Sequence, residues 1–273
     1  MENEAAMAGR FSSPCWVREE QQEITSTLSR EKLHLLGTVH HDPKGCQKLH
    51  DFLEQQGADL ILLEFSAYGL SYRKENGAHL QRQFWINLAW AAGQLGLKAK
   101  GARQHPEVDA VRRQLGLPFE YRAARRFGLR HRVPVHLVDC SSFSQRMIAS
   151  WEELVSPKNL FHLLSIPSHR PPVDLLYRKA HRLIFPEGTH RPPGELPSKA
   201  PSPSGLWQKR ERDLARRIEN ILAFHDTKKP VYVGGWQHLV PGQEFATLRE
   251  LLKIEKDRCH LLTGPAETGG HEC

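Results

Sequence analysis

Two short strings near opposite ends of the chain share one pattern, Gly37-Thr-Val-His40 and Gly235-Trp-Gln-His238. Each is preceded by an apolar run, residues 33–36 and 231–233, that reads as a buried strand. A glycine ending such a strand lets the backbone turn sharply, and a histidine three residues later falls on the loop at the strand's carboxyl end. Ligands of open α/β sheets bind outside those ends, so two such histidines can face one site if their strands are neighbours. Two further apolar runs end in acids, Leu60-Ile-Leu-Leu63 in Glu64 and Val135-His-Leu-Val138 in Asp139. At the end of a strand buried on both faces, a carboxylate or imidazole must be paired, hydrated or bound to something. His40, His238 and Glu64 together make the imidazole and carboxylate set that suits a divalent transition metal. They lack any HExxH-type spacing, so only the fold can bring them together.

Other charged residues have plainer alternatives. Glu211-Arg212-Asp213 lies on a predicted long helix, where Glu211 could aim at the sheet edge, or the triplet could be a solvated turn. Glu120 stands just inside a helix that starts at Pro118, where a carboxylate complements the helix dipole. Asp139 can serve as a local cap, and His40 and His238 as satisfied core or loop histidines.

The elements that must position these groups alternate between strand and helix. Strands are predicted at 23–28 and 32–37, with Ser29-Arg30 as a candidate hairpin turn, then at 59–64, 133–138, 231–233 and 259–262. Helices are predicted at 45–56 with Gly57 as C-cap, at 78–95, from Pro106 to Gly116, and from Pro118 to Gly128. Further helices are predicted at 143–154, 207–224 and 243–252. Residues 1–20 read as a loose tail, 156–205 as a Pro-rich, partly disordered insertion with an amphipathic piece at 173–183, and 264–273 as a disordered tail. The expectation is one α/β domain spanning 1–273, with a largely parallel sheet.

Composition sets outer bounds. The 273 residues are 39% hydrophobic and 25% charged, which suits a soluble domain with a sizeable core. No apolar stretch approaches the roughly 18 residues of a spanning helix, and the N-terminus has no apolar core of a secretory signal. Cys15, Cys46, Cys140, Cys259 and Cys273 are scattered, odd in number and free of C-x-x-C pairs, which points to a reducing cytoplasm. The net charge of +7 is concentrated in Arg112-Arg113, Arg122 to Arg126 and Arg130 to Arg132. These fall at helical spacing without an aromatic platform, so a solvated basic face is expected and nucleic acid is not.

Five segments, in order, resemble the TraB/Tiki/GumN family of the erythromycin-esterase/ChaN-like superfamily. They are Leu35-Leu-Gly-Thr-Val-His40, Ala58-Asp-Leu-Ile-Leu-Leu-Glu64, Pro118-Phe-Glu-Tyr-Arg-Ala-Ala124, Val135-His-Leu-Val-Asp139 with Arg146 downstream, and Glu211-Arg-Asp213 followed by Val231-Tyr-Val-Gly-Gly-Trp-Gln-His238. The likeness spans about residues 30 to 245 and leaves the Pro-rich middle unmatched. Cys140 stands where an Arg usually follows the Asp, and the family's common Arg after the Glu is delayed to Arg73. The resemblance implies an EreA/ChaN-like fold of two related β/α halves with helices on both faces. It also implies a divalent-metal hydrolase, with a peptide as a candidate substrate. His40, His238 and Glu64 would hold Mn, Co or Zn, and Glu64 or Glu211 would accept a proton. Arg212 would steady the oxyanion, with Glu120, Asp139 and His41 orienting the ligands beside the motif glycines Gly37 and Gly235. The alternative is a non-catalytic haem- or metal-binding protein, with Tyr68, Tyr72 or Cys140 as an axial ligand.

Overall fold

The computed structural model describes residues 30–168, 170–186, 204–242 and 244–263. The predicted strand at 23–28 and its hairpin, both tails and most of the Pro-rich run therefore lie outside the described residues.

Five strands form one sheet: β1 (His34–Thr38), β2 (Leu60–Leu63), β3 (Val135–Leu137), β4 (Pro230–Gly235) and β5 (Cys259–Leu261). Their order is β3-β2-β4-β1-β5, and every neighbouring pair is parallel. Consecutive side chains of a strand point to opposite faces, and every residue of β2 and β4 is buried. Both faces of the sheet are therefore covered, which explains why these strands read as unbroken apolar runs.

The strands carrying the two Gly-x-x-His segments are neighbours, with Gly37 opposite Gly234 and Thr38 opposite Gly235. β2 lies on the other side of β4, with Leu63 opposite Val233, so Glu64 joins them at the same edge. The links leaving β1 toward β2 and β4 toward β5 run in opposite directions along the sheet, the arrangement that opens a crevice at the carboxyl ends. The motif glycines serve space and not unusual backbone: Gly235 has φ −60°, and Gly37 is not among the positive-φ residues. A Cβ on Gly37 would stand 2.9 Å from the Cα of Trp236.

The helices are α1 (Gly45–Gln56), α2 (Ala67–Gln94), α3 (Ala99–Gln104), α4 (Pro106–Leu115), α5 (Phe119–His131), α6 (Ser141–Ile148), α7 (Trp151–Leu154), α8 (Pro157–Ser165), α9 (Val173–Ile184), α10 (Ser204–Phe224) and α11 (Leu248–Leu251). Gly57 closes α1 in the left-handed conformation, as its type predicts. α2 starts well before residue 78 because Ser66 caps it, its Oγ accepting from the Gly69 amide at 2.8 Å. The helix expected at 143–154 breaks into α6 and α7. Part of the insertion read as loose is helical: Ser156 caps α8, with Pro157 in its first turn, and α9 is the amphipathic piece. That Ser-Pro start is a helix signal submerged in a Pro-rich composition. The helix expected at 243–252 shrinks to α11, whose start is set by a Thr247–Glu250 capping box.

Two apolar clusters result. One holds the sheet between its helices; the other packs later turns of α2 (Phe84, Leu88) against α4, α7 and α8 (Val111, Trp151, Leu160). Among the described residues no helix is long and apolar enough to cross a membrane. Cys140 and Cys259 are free, whereas Cys46 is disulfide-bonded, which the scattered cysteines did not lead us to expect.

Candidate functional site

Carboxyl ends of β1, β2 and β4 meet in one network of charge. Glu64, directly after β2, is buried and uses both oxygens: Oε2 accepts from the Gly235 amide at 2.5 Å, and Oε1 accepts from Arg210 Nη2 at 2.5 Å. His238 Nε2 stands 3.0 Å from that same Oε1. On its other side, His238 Nδ1 lies 2.6 Å from Glu211 Oε1, an ion-pair contact off the line of a hydrogen bond. Glu211 Oε2 accepts from the Leu248 amide at 2.6 Å, so α10, α11 and the short 3₁₀ turn Trp236–Leu239 are tied together through His238.

The acid against His40 comes from α5. The imidazole Nδ1 is 2.8 Å from Oε1 of Glu120, which also accepts from Thr38 Oγ1 at 2.9 Å, while Glu64 pairs with His238. Glu120 thus does more than complement the α5 terminus. Asp139 orients no histidine; it grips Arg210, with Nε at 3.0 Å from Oδ1 and Nη2 at 2.9 Å from Oδ2.

Arg212 is the clearest correction. It is exposed on α10 and outside the network, and the buried guanidinium is Arg210. The helical period accounts for this: Leu214, Ile218 and Leu222 are buried, and stepping back along that stripe reaches Glu211 and Arg210, whereas 212 and 216 fall on the solvent side. Arg146, which the resemblance set beside Asp139, is likewise exposed. Tyr232 is the other residue missed. Fully buried on β4, it has a hydroxyl without a hydrogen-bond partner, and a Cβ on Gly234 would collide with that hydroxyl and crowd Glu64 Oε2. Its signal was position: Tyr232 and Gly234 share a strand face.

Electrostatics follow from this packing. Burial alone would push the imidazolium forms off both histidines. For His40, the charge and hydrogen bond of Glu120 outweigh it and lift the pKa to about 9. For His238, Glu211 and then Glu64 lift it to about 10. Burial would raise Glu64, but His238 and Arg210 hold it well below the usual carboxylate range. Burial, then Glu64 and Glu211, push the Tyr232 hydroxyl well above its ordinary value.

A cavity of about 400 Å³ opens on this centre, lined by His40, His41, Glu64, Glu120, Asp139 and Arg210 among others. His238 and Glu211 sit behind its wall, so Glu211 supports His238 and does not reach into the cavity. Tyr68, Tyr72 and Cys140 are not among the cavity's lining residues, whereas His40 is. Among the described residues no three His, Cys, Asp or Glu side chains already close round one point. The space left by Gly235 is nonetheless bounded by donors. A Cβ there would stand 2.9 Å from Gln237 Oε1, 3.1 Å from His40 Nε2 and 3.5 Å from Glu64 Oε2. That point lies only about 1.5 Å from the Gly235 Cα and is not itself a cation site; the three atoms are candidate donors that a side chain at 235 would displace.

No family model matches the chain, and no curated protein or solved structure matches it either.

Proposed function

We propose that this protein is a divalent-metal-dependent hydrolase, with a peptide bond as the candidate target, built on an EreA/ChaN-like sheet whose two halves each deliver a Gly-x-x-His. The observation that carries this reading is the paired imidazoles, each with Nδ1 against a buried glutamate, His238 with Nε2 on Glu64 and His40 with Nε2 toward Gly235 at the mouth of the cavity. A carboxylate behind an imidazole fixes its orientation and raises its basicity, as second-sphere acids do for metal-binding histidines. Charge supports it too. Glu64, Glu120, Asp139 and Glu211 carry four formal negative charges against the one positive charge of Arg210, leaving three. Two imidazolium protons or one divalent cation offset that excess equally.

His40 and Glu64 would hold the cation from the cavity side, with His238 bracing Glu64. Mn, Co or Zn bound there supplies the Lewis acidity that brings a water toward ionisation near neutral pH. Glu64, kept ionised, suits ligation better than proton uptake. Glu120 lines the cavity and its Oε2 has no hydrogen-bond partner, so it is the carboxylate with acceptor capacity left. Arg210 supplies the one fixed positive charge against Glu64.

Elemental analysis after metal loading tests this. Wild type should carry about one equivalent of Mn, Co or Zn, and His40→Ala and Gly235→Ala should lose it while staying folded. Full occupancy in both variants, or an empty wild type under replete conditions, overturns the reading. One observation favours a second reading, the Arg210 guanidinium already seated on Glu64. In that case the Glu120–His40 pair acts alone as the acid–base group, and hydrolysis survives chelation.

A further inference from the structure

The cavity wall contributed by α2, α7 and the α4–α5 turn holds a cation that the reaction centre does not use. Arg73 lies over two rings, its guanidinium carbon 5.1 Å from the Phe65 centroid and 4.6 Å from that of Trp151. Its hydrogen bonds go to backbone carbonyls only: Nε to Gly116 at 2.9 Å, Nη1 to Gly69 at 3.0 Å and Nη2 to Gln114 at 3.4 Å. A guanidinium has five N–H groups, so donor capacity remains.

Of the other guanidinium groups on this cavity, Arg210 is neutralised by Glu64 and Asp139, and Arg113 shares Asp109 with Arg112, each at 2.7 Å. Among the described residues Arg73 has no carboxylate in ion-pair reach. Burial without a counter-charge pulls its pKa down to about 10. A half-buried cation held rigid by stacking and carbonyls, and left without an anion, is a poor stabilising device and a good anchor. A guanidinium with donors to spare matches one planar carboxylate, and Glu64, Glu120 and Asp139 in the same cavity disfavour the greater negative charge of a phosphate. Phe143, Met147, Ile148 and Trp151 supply an apolar surface in the same cavity.

We propose that Arg73 anchors the free carboxylate of the substrate, so that the cavity takes a molecule with an apolar side chain beside a carboxylate, as at the C-terminus of a peptide. This rests on the hydrolase reading for the bond that is cut, but the anchoring itself is a binding event and is measured without turnover.

The test is calorimetric titration of the full, manganese-loaded protein with N-acetyl-phenylalanine and with its carboxamide. Wild type should bind the acid about tenfold or more tightly than the amide, the scale of a charge-assisted hydrogen bond. Arg73→Gln should bind the two alike, and Arg73→Lys should keep part of the preference as a point charge. A thermal melt establishes that each variant is folded; if Arg73→Gln is not, the wild-type ratio and Arg73→Lys decide. Equal affinities in wild type, no binding of either probe, or an undiminished preference in Arg73→Gln overturns the proposal. A preference without hydrolysis of any phenylalanine-terminated peptide removes the hydrolase reading alone. Hydrolysis without the preference removes this inference alone.

Discussion

His40 and His238 follow a glycine at the same spacing, yet the His40 side chain is 49% exposed and that of His238 is 3% exposed. Each has a nearly buried glutamate against Nδ1, Glu120 for the first and Glu211 for the second. The difference begins after the strands. β4 turns at once into a 3₁₀ helix that tucks His238 beneath α10 and α11, while β1 runs into a loop that leaves His40 on the cavity. One motif therefore builds a structural keystone and the other a group that can meet a ligand. Repeated sequence does not imply repeated duty, because burial sets what an imidazole is worth.

Substitution should separate the two most sharply. His238→Ala leaves Glu64 and Glu211 buried with less counter-charge, and a loss of about 3–5 kcal/mol in urea denaturation is expected. Arg210→Met, which strands Glu64 and Asp139 in the same way, should cost a similar amount. His40→Ala also strips the buried Glu120 of its cation, but beside the open cavity, so a smaller loss of about 1–2 kcal/mol is expected, with hydrolytic kcat/KM lowered by about a hundredfold or more. Equal destabilisation by His40→Ala and His238→Ala would erase the distinction.

Much of this arrangement was legible in the chain, for reasons that can be named. Leu60 to Glu64 showed a doubly buried strand ending in a charge, and that charge had to be satisfied somewhere. The parallel α/β class followed from alternating runs. What could not be read was partnership. Nothing local to His40 distinguishes Glu120 from Glu64, since both pairings depend on β4 inserting between β1 and β2. Arg210 was within reach, because the period of Leu214, Ile218 and Leu222 already put 212 on the solvent side; attention to the Glu-Arg-Asp string concealed it. Tyr232 carries no motif and Arg73 only a displaced one, and only packing shows Tyr232 without a hydrogen-bond partner and Arg73 without a carboxylate among the described residues.

The pH dependence of metal-free protein sharpens the contrast at intermediate scale. His238 has its folded-state pKa raised from 6.5 to about 10. Between those values the folded protein holds a proton that the unfolded chain has released, so stability falls as pH rises. The contribution is full below pH 6.5 and lost through about 10. Unfolding free energy measured from pH 6.5 to 10 should decline, and Glu211→Gln should flatten that decline more than Glu120→Gln. A profile equally steep in Glu211→Gln would place the titration elsewhere than at His238.

The smallest effect expected is at Arg212, and it tests the register of α10 on which the buried network depends. Arg212 lies on the exposed stripe with Arg216, one helical step from Glu211, while Lys209 and Asp213 pair with each other at 2.8 Å near it. An exposed arginine in that setting contributes within about 0.5 kcal/mol. Arg212→Met should therefore leave the urea midpoint, metal content and hydrolysis unchanged, in a helix where the same change two residues earlier is severe. If Arg212→Met instead abolishes metal retention, α10 is rotated from the register described, and the guanidinium holding Glu64 and Asp139 is not that of Arg210.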